Sequence, residues 1–255
     1  MTGRVMLRVS VVSVAIVALA ASGCGGGSHG AAETHKARAP HCAAGTLEPV
    51  GSSEVAWAAA ALRTTTAYRS PGGAAIRHFG LQNVNGAATV FGVLGKVVDA
   101  RCRAAWLHVA LPIRPNGATG WVRAADVQQL PVRTRITVDL SERRVRLYKN
   151  GKLVLSSTAA IGSSATPTPL GRYYVNQRLI PEDPNGPFGP GAVGISAFSD
   201  VLTGWAQGGP IAIHGTNEPG SIGHAVSNGC IRLPNAVLRR LFAEALAGTP
   251  VLIRR

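Results

Sequence analysis

The apolar residues of this chain change texture several times, and each texture predicts a different kind of structure. Val9 to Ala21 form a nearly unbroken apolar run behind Arg4 and Arg8; the run is too short to stay as a bilayer-crossing helix. Gly25 to Pro40 show no apolar period and read as a flexible tether. Residues 52–63 suit a short helix, with Ser52 or Ser53 as its cap. From Ala67 to about Val127 short apolar pieces alternate with the turns Pro71-Gly72-Gly73, Asn85-Gly86 and Pro115-Asn116-Gly117. Val90 to Leu94, Trp106 to Val109 and Gly120-Trp121-Val122 are the strands this spacing predicts, in a small all-β barrel with Trp106 and Trp121 in its core.

A second pattern begins near Arg133. Ile136, Val138 and Leu140 alternate with polar residues at strand period, Val145 and Leu147 continue it, and Leu153 and Leu155 follow the Asn150-Gly151 hairpin signal. Thr166-Pro167-Thr168-Pro169 is a stiff loop, and the Pro- and Gly-rich residues 181–194 read as a long surface loop able to cover a cleft. Ile211 and Ile213 mark a strand ending at His214. Asn235 is placed to cap the one notable helix, whose apolar positions are Val237, Leu238, Leu241, Phe242, Ala245 and Leu246. Gly248 and Pro250 stop it, and Val251 to Ile253 return as a strand. The expectation is a mainly β chain in four parts: 1–23, a tether 24–50, a small barrel 51–130 and a larger β domain 131–255.

The N-terminal run has the form of a secretory signal. Its end, Ala21-Ser22-Gly23-Cys24, resembles the lipobox of bacterial lipoproteins, with Ala21 where leucine is usual. That resemblance implies cleavage before Cys24, lipid on its sulfur, and a protein held at the outer face of the cytoplasmic membrane. Removing the signal takes away two of the 26 Lys and Arg and none of the 12 acids, leaving 24 against 12, or +12. Such a field favours polyanions. Export argues against nucleic acid and for wall polymers, lipid head groups or peptide carboxylates. With Cys24 acylated, Cys42, Cys102 and Cys230 remain. An odd number in an oxidising compartment suggests one pair, Cys42 with Cys102, and one free thiol, Cys230.

The candidate chemistry lies in Ile211-Ala212-Ile213-His214-Gly215-Thr216-Asn217 and Ser227-Asn228-Gly229-Cys230-Ile231-Arg232-Leu233. A thiol with a pKa of about 8.5 is mostly protonated at neutral pH, and an imidazole can take its proton. His214 precedes Cys230 by sixteen positions, so the intervening loop must fold back for the two to meet. A turn at Asn228-Gly229-Cys230 can aim backbone N–H groups at an oxyanion. Arg232, two residues on, can bind a substrate carboxylate. On spacing alone Cys230 can equally be a buried core residue. Ser227 reads as a residue that orients the turn, and His224 as solvent-facing.

His214-Gly215-Thr216 followed by Ser227-Asn228-Gly229-Cys230-Ile231-Arg232 resembles the signature of the L,D-transpeptidase (YkuD-type) family. Val138-Asp139-Leu140, Asn150-Gly151, Gly162 and Thr168-Pro169-Leu170-Gly171 are similar to its opening strands and loop. The resemblance covers about residues 133–254 and implies a YkuD-type β-sandwich. Trp106 to Val122, with its glycine-tryptophan ending, resembles a bacterial SH3-like domain. The family implies that Cys230 is acylated by a peptidoglycan stem peptide, that His214 is the base, and that the main chain at Gly215 orients the imidazole. It implies 3→3 cross-linking, or L,D-carboxypeptidase trimming when water is the acceptor. No metal or organic cofactor is implied, and a monomer is expected. The chain departs from the family at Asn228, where histidine is common; Asn cannot carry a proton, which keeps a non-catalytic wall-binding lipoprotein as a rival reading, beside another surface cysteine enzyme such as a sortase or an NlpC/P60-type peptidase.

Overall fold

A computed structural model describes residues 42–255. The signal, Cys24 and the tether up to residue 41 lie outside the described residues. The first half carries eight strands: β1 (Leu47–Pro49), β2 (Ala56–Ala61), β3 (Thr65–Tyr68), β4 (Ala75–Phe79), β5 (Val90–Val98), β6 (Ala104–Ala110), β7 (Thr119–Arg123) and β8 (Val127–Val132). They form an antiparallel sheet in the order β4-β3-β7-β6-β5-β2-β8, with β1 added on β5. The expected tether therefore ends early: Leu47 to Pro49 are strand, and Cys42 is joined to Cys102 by the disulfide that the cysteine count suggested.

Two expectations fail in this half, each because strand pairing overrides a local signal. Residues 52–63 are not helical. Ser52 Oγ does accept from the N–H groups of Glu54 and Val55, as a cap would, but the chain then enters β2 between β5 and β8. An alanine run carries no apolar period of its own, so the ladder decides its conformation. Trp106 and Trp121 are not core. Alternation along β6 and β7 buries Leu107, Val109 and Val122, and turns the two tryptophans to the opposite, partly exposed face. There Trp106 meets Tyr68 edge-on and Trp121 stacks on His108.

The second half follows at once, with β9 (Thr134–Asp139), β10 (Arg144–Lys149), β11 (Lys152–Thr158), β12 (Ile161–Gly162), β13 (Gly171–Leu179), β14 (Ala192–Phe198), β15 (Pro210–His214), β16 (Ala225–Ser227), β17 (Ile231–Arg232), helix α1 (Asn235–Glu244) and β18 (Pro250–Arg254). The main sheet runs β11-β10-β9-β18-β13-β14-β15-β17, and β12 pairs with β16 beside it. Asn150 and Gly151 both have positive φ, as a two-residue hairpin turn demands. Leu155 is buried as expected, but Leu153 is 53 % exposed. A bulge opposite Leu147 and Tyr148 shifts the register between them by one residue and sends Leu153 outward. Leu238 and Leu241 of α1, with Ala245 just past its end, join Ile213 and Ile231 in one core, whereas Leu246, also beyond the helix, is exposed.

The two halves are clasped by polar contacts. Asn116 pairs with Phe198 almost as a strand would, donating to its carbonyl at 2.7 Å and accepting from its N–H at 2.9 Å. Arg114 donates to the carbonyls of Ser199 and Gly208, and Asn83 donates to Gln177. Gly92 lies against the ring of Tyr174, where a Cβ would sit 3.1 Å from ring atoms.

Candidate active site

The site forms at the end of β15. β15 and β17 are parallel neighbours, with Ile213 opposite Ile231 and His214 opposite Arg232. Ile213 and Ile231 are buried, so His214 and Arg232 project to the other face; Cys230 immediately precedes β17 and hydrogen-bonds the Ala212 backbone of β15. With strands about 4.8 Å apart and about 3.3 Å of rise per residue, His214 and Cys230 are diagonal neighbours roughly 8 Å apart at Cα, within side-chain reach. The sixteen-residue separation is bridged by a loop containing one 3-10 turn, Pro219–Ser221, and by β16.

His214 is 4 % exposed. Its Nδ1 lies 2.5 Å from the carbonyl oxygen of Gly215. A carbonyl only accepts, so Nδ1 carries the proton and donates; in the neutral ring Nε2 is then the free acceptor. Burial pushes the His214 pKa down to about 4, against a smaller upward pull from the Gly215 bond, and the Arg232 charge lowers it further. The ring is neutral at pH 7. Phe188, from the loop before β14, meets it edge-on at 5.0 Å. The Pro- and Gly-rich stretch thus supplies one wall, and Gly191 accepts from the Gly215 N–H.

Cys230 is the free cysteine among the described residues, and it is partly buried. Burial pushes its thiol pKa up, while a hydrogen bond with the Ala212 backbone and the Arg232 charge pull the other way. The two shifts together favour a neutral thiol beside a neutral imidazole, not the preformed ion pair that the residue types alone suggest.

The turn carrying the thiol is tightly tied. Gly229 has φ 105°, a conformation only glycine adopts freely. Its N–H donates to Ser227 Oγ, and Ser227 Oγ donates to the Cys230 carbonyl at 2.5 Å. Gly229 therefore has no N–H to offer an oxyanion. Among the described residues no hydrogen bond takes the N–H of Cys230 itself, which makes it the available donor. Asn228 is exposed to solvent.

Three contributors were not legible in the sequence. Thr168 is 3 % exposed; its hydroxyl donates to the Gly229 carbonyl and accepts from the Gly162 N–H. Thr166 donates to the Ser227 carbonyl, so the stiff Thr-Pro loop braces the nucleophile turn from behind. Asn235 does not cap α1, whose N-cap is Pro234 with no side-chain bond. Its Oδ1 accepts instead from the N–H of Thr216, and it lies so close to Gly215 that a Cβ there would be 2.4 Å away. Arg232 is paired with Glu218, 2.5 Å from Nη1 to Oε2. His224 is exposed. Among the described residues no cluster of His, Cys, Asp or Glu fits a metal ion, and no helix is long and apolar enough to cross a membrane.

Residues 133–253 match the family model described as YkuD, the L,D-transpeptidase catalytic domain. A putative L,D-transpeptidase YkuD of Bacillus licheniformis is 38 % identical over 119 residues, 47 % of this chain and 64 % of that protein. Its Bacillus subtilis counterpart is 34 % identical over 120 residues, 47 % of this chain and 65 % of that protein. The chain thus spans just under two thirds of the length of these relatives. A crystal structure of an Enterococcus faecium L,D-transpeptidase is 27 % identical, with a TM-score of 0.38 over 48 % of this chain and 49 % of that one.

Proposed function

We propose that this chain, whose residues 133–253 carry an L,D-transpeptidase catalytic domain by family, acts on peptidoglycan stem peptides through a thioester on Cys230. The observation that carries the reading is the imidazole of His214, held by the Gly215 carbonyl at Nδ1 with Nε2 left free, on the strand paired with the one that Cys230 leads into.

The thiol of Cys230 gives its proton to Nε2 as the sulfur attacks the carbonyl of the third stem residue. The Cys230 N–H stabilises the oxyanion. The tetrahedral species collapses, the imidazolium protonates the leaving amine, and terminal D-alanine departs. The amine of a second stem's third residue then attacks the thioester, its proton passes to Nε2, and the sulfur leaves as the thiol. The product is a 3→3 cross-link; water in place of the amine gives trimming.

The rest of the proposal places the protein. Export and lipid attachment at Cys24 hold it at the outer face of the cytoplasmic membrane, and the first β unit, read as SH3-like, spaces the catalytic domain from the membrane. The protein works as a monomer. Mass spectrometry of disaccharide-tetrapeptides incubated with the full chain tests the chemistry: cross-linked dimers short of one D-alanine are expected, and none with Cys230→Ala. Monomers left unchanged by wild-type protein, with Cys230 unacylated, would end it.

A further inference from the structure

Arg232 is the charged group whose field reaches both members of the reacting pair. It lies opposite His214 in register, and its charge lowers the pKa of both His214 and Cys230. Its side chain is 21 % exposed, and the partner it has found is an internal one, Glu218. Glu218 belongs to the loop between the histidine and the cysteine. Its backbone is fixed: its N–H donates to Thr216 Oγ1, and the Thr216 N–H donates to Asn235. Its carboxylate is not fixed in the same way, being 66 % exposed and joined to Arg232 through Nη1. A guanidinium offers five donors in a fork that suits two carboxylate oxygens at once. The Glu218 contact uses one nitrogen, and an ion pair open to water is weakly held.

We infer that Glu218 holds the place of a substrate carboxylate on Arg232, and so sets how strongly the site selects an anionic donor. The reading of the donor as a stem peptide rests on the proposed function; the exchange at Arg232 does not. An arriving carboxylate that engages two guanidinium nitrogens gains a stronger, charge-assisted pair and displaces Glu218 toward solvent. With Glu218 in place, the site presents a nearly neutral mouth. Without it, Arg232 presents a full positive charge beside the thiol. Glu218 is therefore a specificity-determining residue that tempers the preference for anionic substrates.

The test needs no turnover. Iodoacetate and iodoacetamide both alkylate a thiolate, the sulfur forming a bond to the methylene carbon as iodide leaves, and they differ in carrying a carboxylate or an amide. The two rates at Cys230 are measured on the full chain by peptide mapping, in wild type, Glu218→Gln, Glu218→Ala and the double variant Glu218→Gln with Arg232→Gln. The ratio of iodoacetate to iodoacetamide rate should rise about threefold or more in either Glu218 variant, the scale of one partly exposed ion pair, and return to the wild-type value in the double variant. Glu218 is exposed enough that both single variants should melt as wild type does. In the two Glu218 single variants the KM for a tetrapeptide with a free carboxylate should fall relative to wild type, by more than any change in kcat, and the KM for its amidated form should not move. An unchanged or lowered alkylation ratio in both Glu218 variants overturns the inference. Failure of turnover with the ratio effect intact counts against the proposed function alone.

Discussion

The opposed shifts at His214 and Cys230 make the resting charge state of the pair directly measurable. At pH 6 a thiol at the ordinary value of 9.0 is about 0.1 % thiolate, and burial pushes Cys230 below even that. A preformed thiolate–imidazolium pair would be almost wholly thiolate at the same pH, an advantage of about a thousandfold in reactive species. The lower nucleophilicity of a low-pKa thiolate takes back roughly one and a half orders of magnitude. About thirtyfold remains. The assay is the rate of iodoacetamide alkylation at Cys230 between pH 4 and 10, without substrate. A neutral pair gives a rate that climbs about tenfold per pH unit through pH 8 and shows no plateau on the acid side. His214→Gln should change this resting profile less than about threefold, because a neutral ring contributes little charge, yet it should slow acylation by a donor peptide about a hundredfold or more through loss of the base. A flat rate from pH 5 to 8 that collapses in His214→Gln would refute the reasoning and restore the ion pair.

Three further outcomes follow from named contacts. Because His214 titrates near 4 when folded and near 6.5 when unfolded, the unfolded chain binds the extra proton between those values. The His214 contribution is complete above pH 6.5 and lost as pH falls through 4, about 3 kcal/mol in all; denaturant melts from pH 7 to 4 should show this slope, and His214→Gln should flatten it. Thr168→Val removes one donor and one acceptor behind the nucleophile turn. It should cost about 1–3 kcal/mol of stability and lower kcat more than it raises KM, read by thermal melting and peptide turnover. Reducing the Cys42–Cys102 bond opens a loop spanning 60 residues of separation. It should lower stability by about 2–4 kcal/mol while Cys230 keeps its alkylation rate.

What could be read from sequence was what local chemistry decides. Asn150-Gly151 takes its turn because both residues need positive φ, and β15 ends where the Ile211–Ile213 alternation meets His214. The same locality explains the errors. Ser52 makes its cap-like bonds whether a helix or a strand follows, and only pairing with β5 and β8, supplied by residues more than thirty positions away, selects the strand. Leu153 keeps its period-two place in the sequence, but a single bulge reverses its face. Asn235 fits a helix cap by rule, yet the Thr216 N–H lies closer to its use. Thr168 showed in the sequence only as part of a stiff loop, because its two partners, Gly162 and Gly229, come together only when β12 and β16 pair.

The burial that makes the pair neutral also bears on how a free thiol survives outside the membrane, where the proposed export would put it. Oxidation and disulfide exchange run through the thiolate, so a raised pKa slows both. The same burial holds Nε2 unprotonated and ready to accept, since an imidazole with a pKa near 4 is fully a base at neutral pH. Such a base is weak in return, and proton transfer from thiol to ring is uphill until charge develops on the substrate oxygen. The Cys230 N–H acts at that moment, on the oxyanion. Reactivity is thus withheld in the empty site and released by the donor. A small neutral alkylating agent, which brings no carbonyl to the oxyanion position and no carboxylate to Arg232, should therefore find Cys230 slow at pH 7, while an acyl donor that brings both should find it fast. The ratio of those two rates, against the same ratio for a free cysteine peptide, measures how much of the catalysis the substrate itself switches on; a ratio no larger than the peptide's would mean that the resting site is already as activated as it becomes.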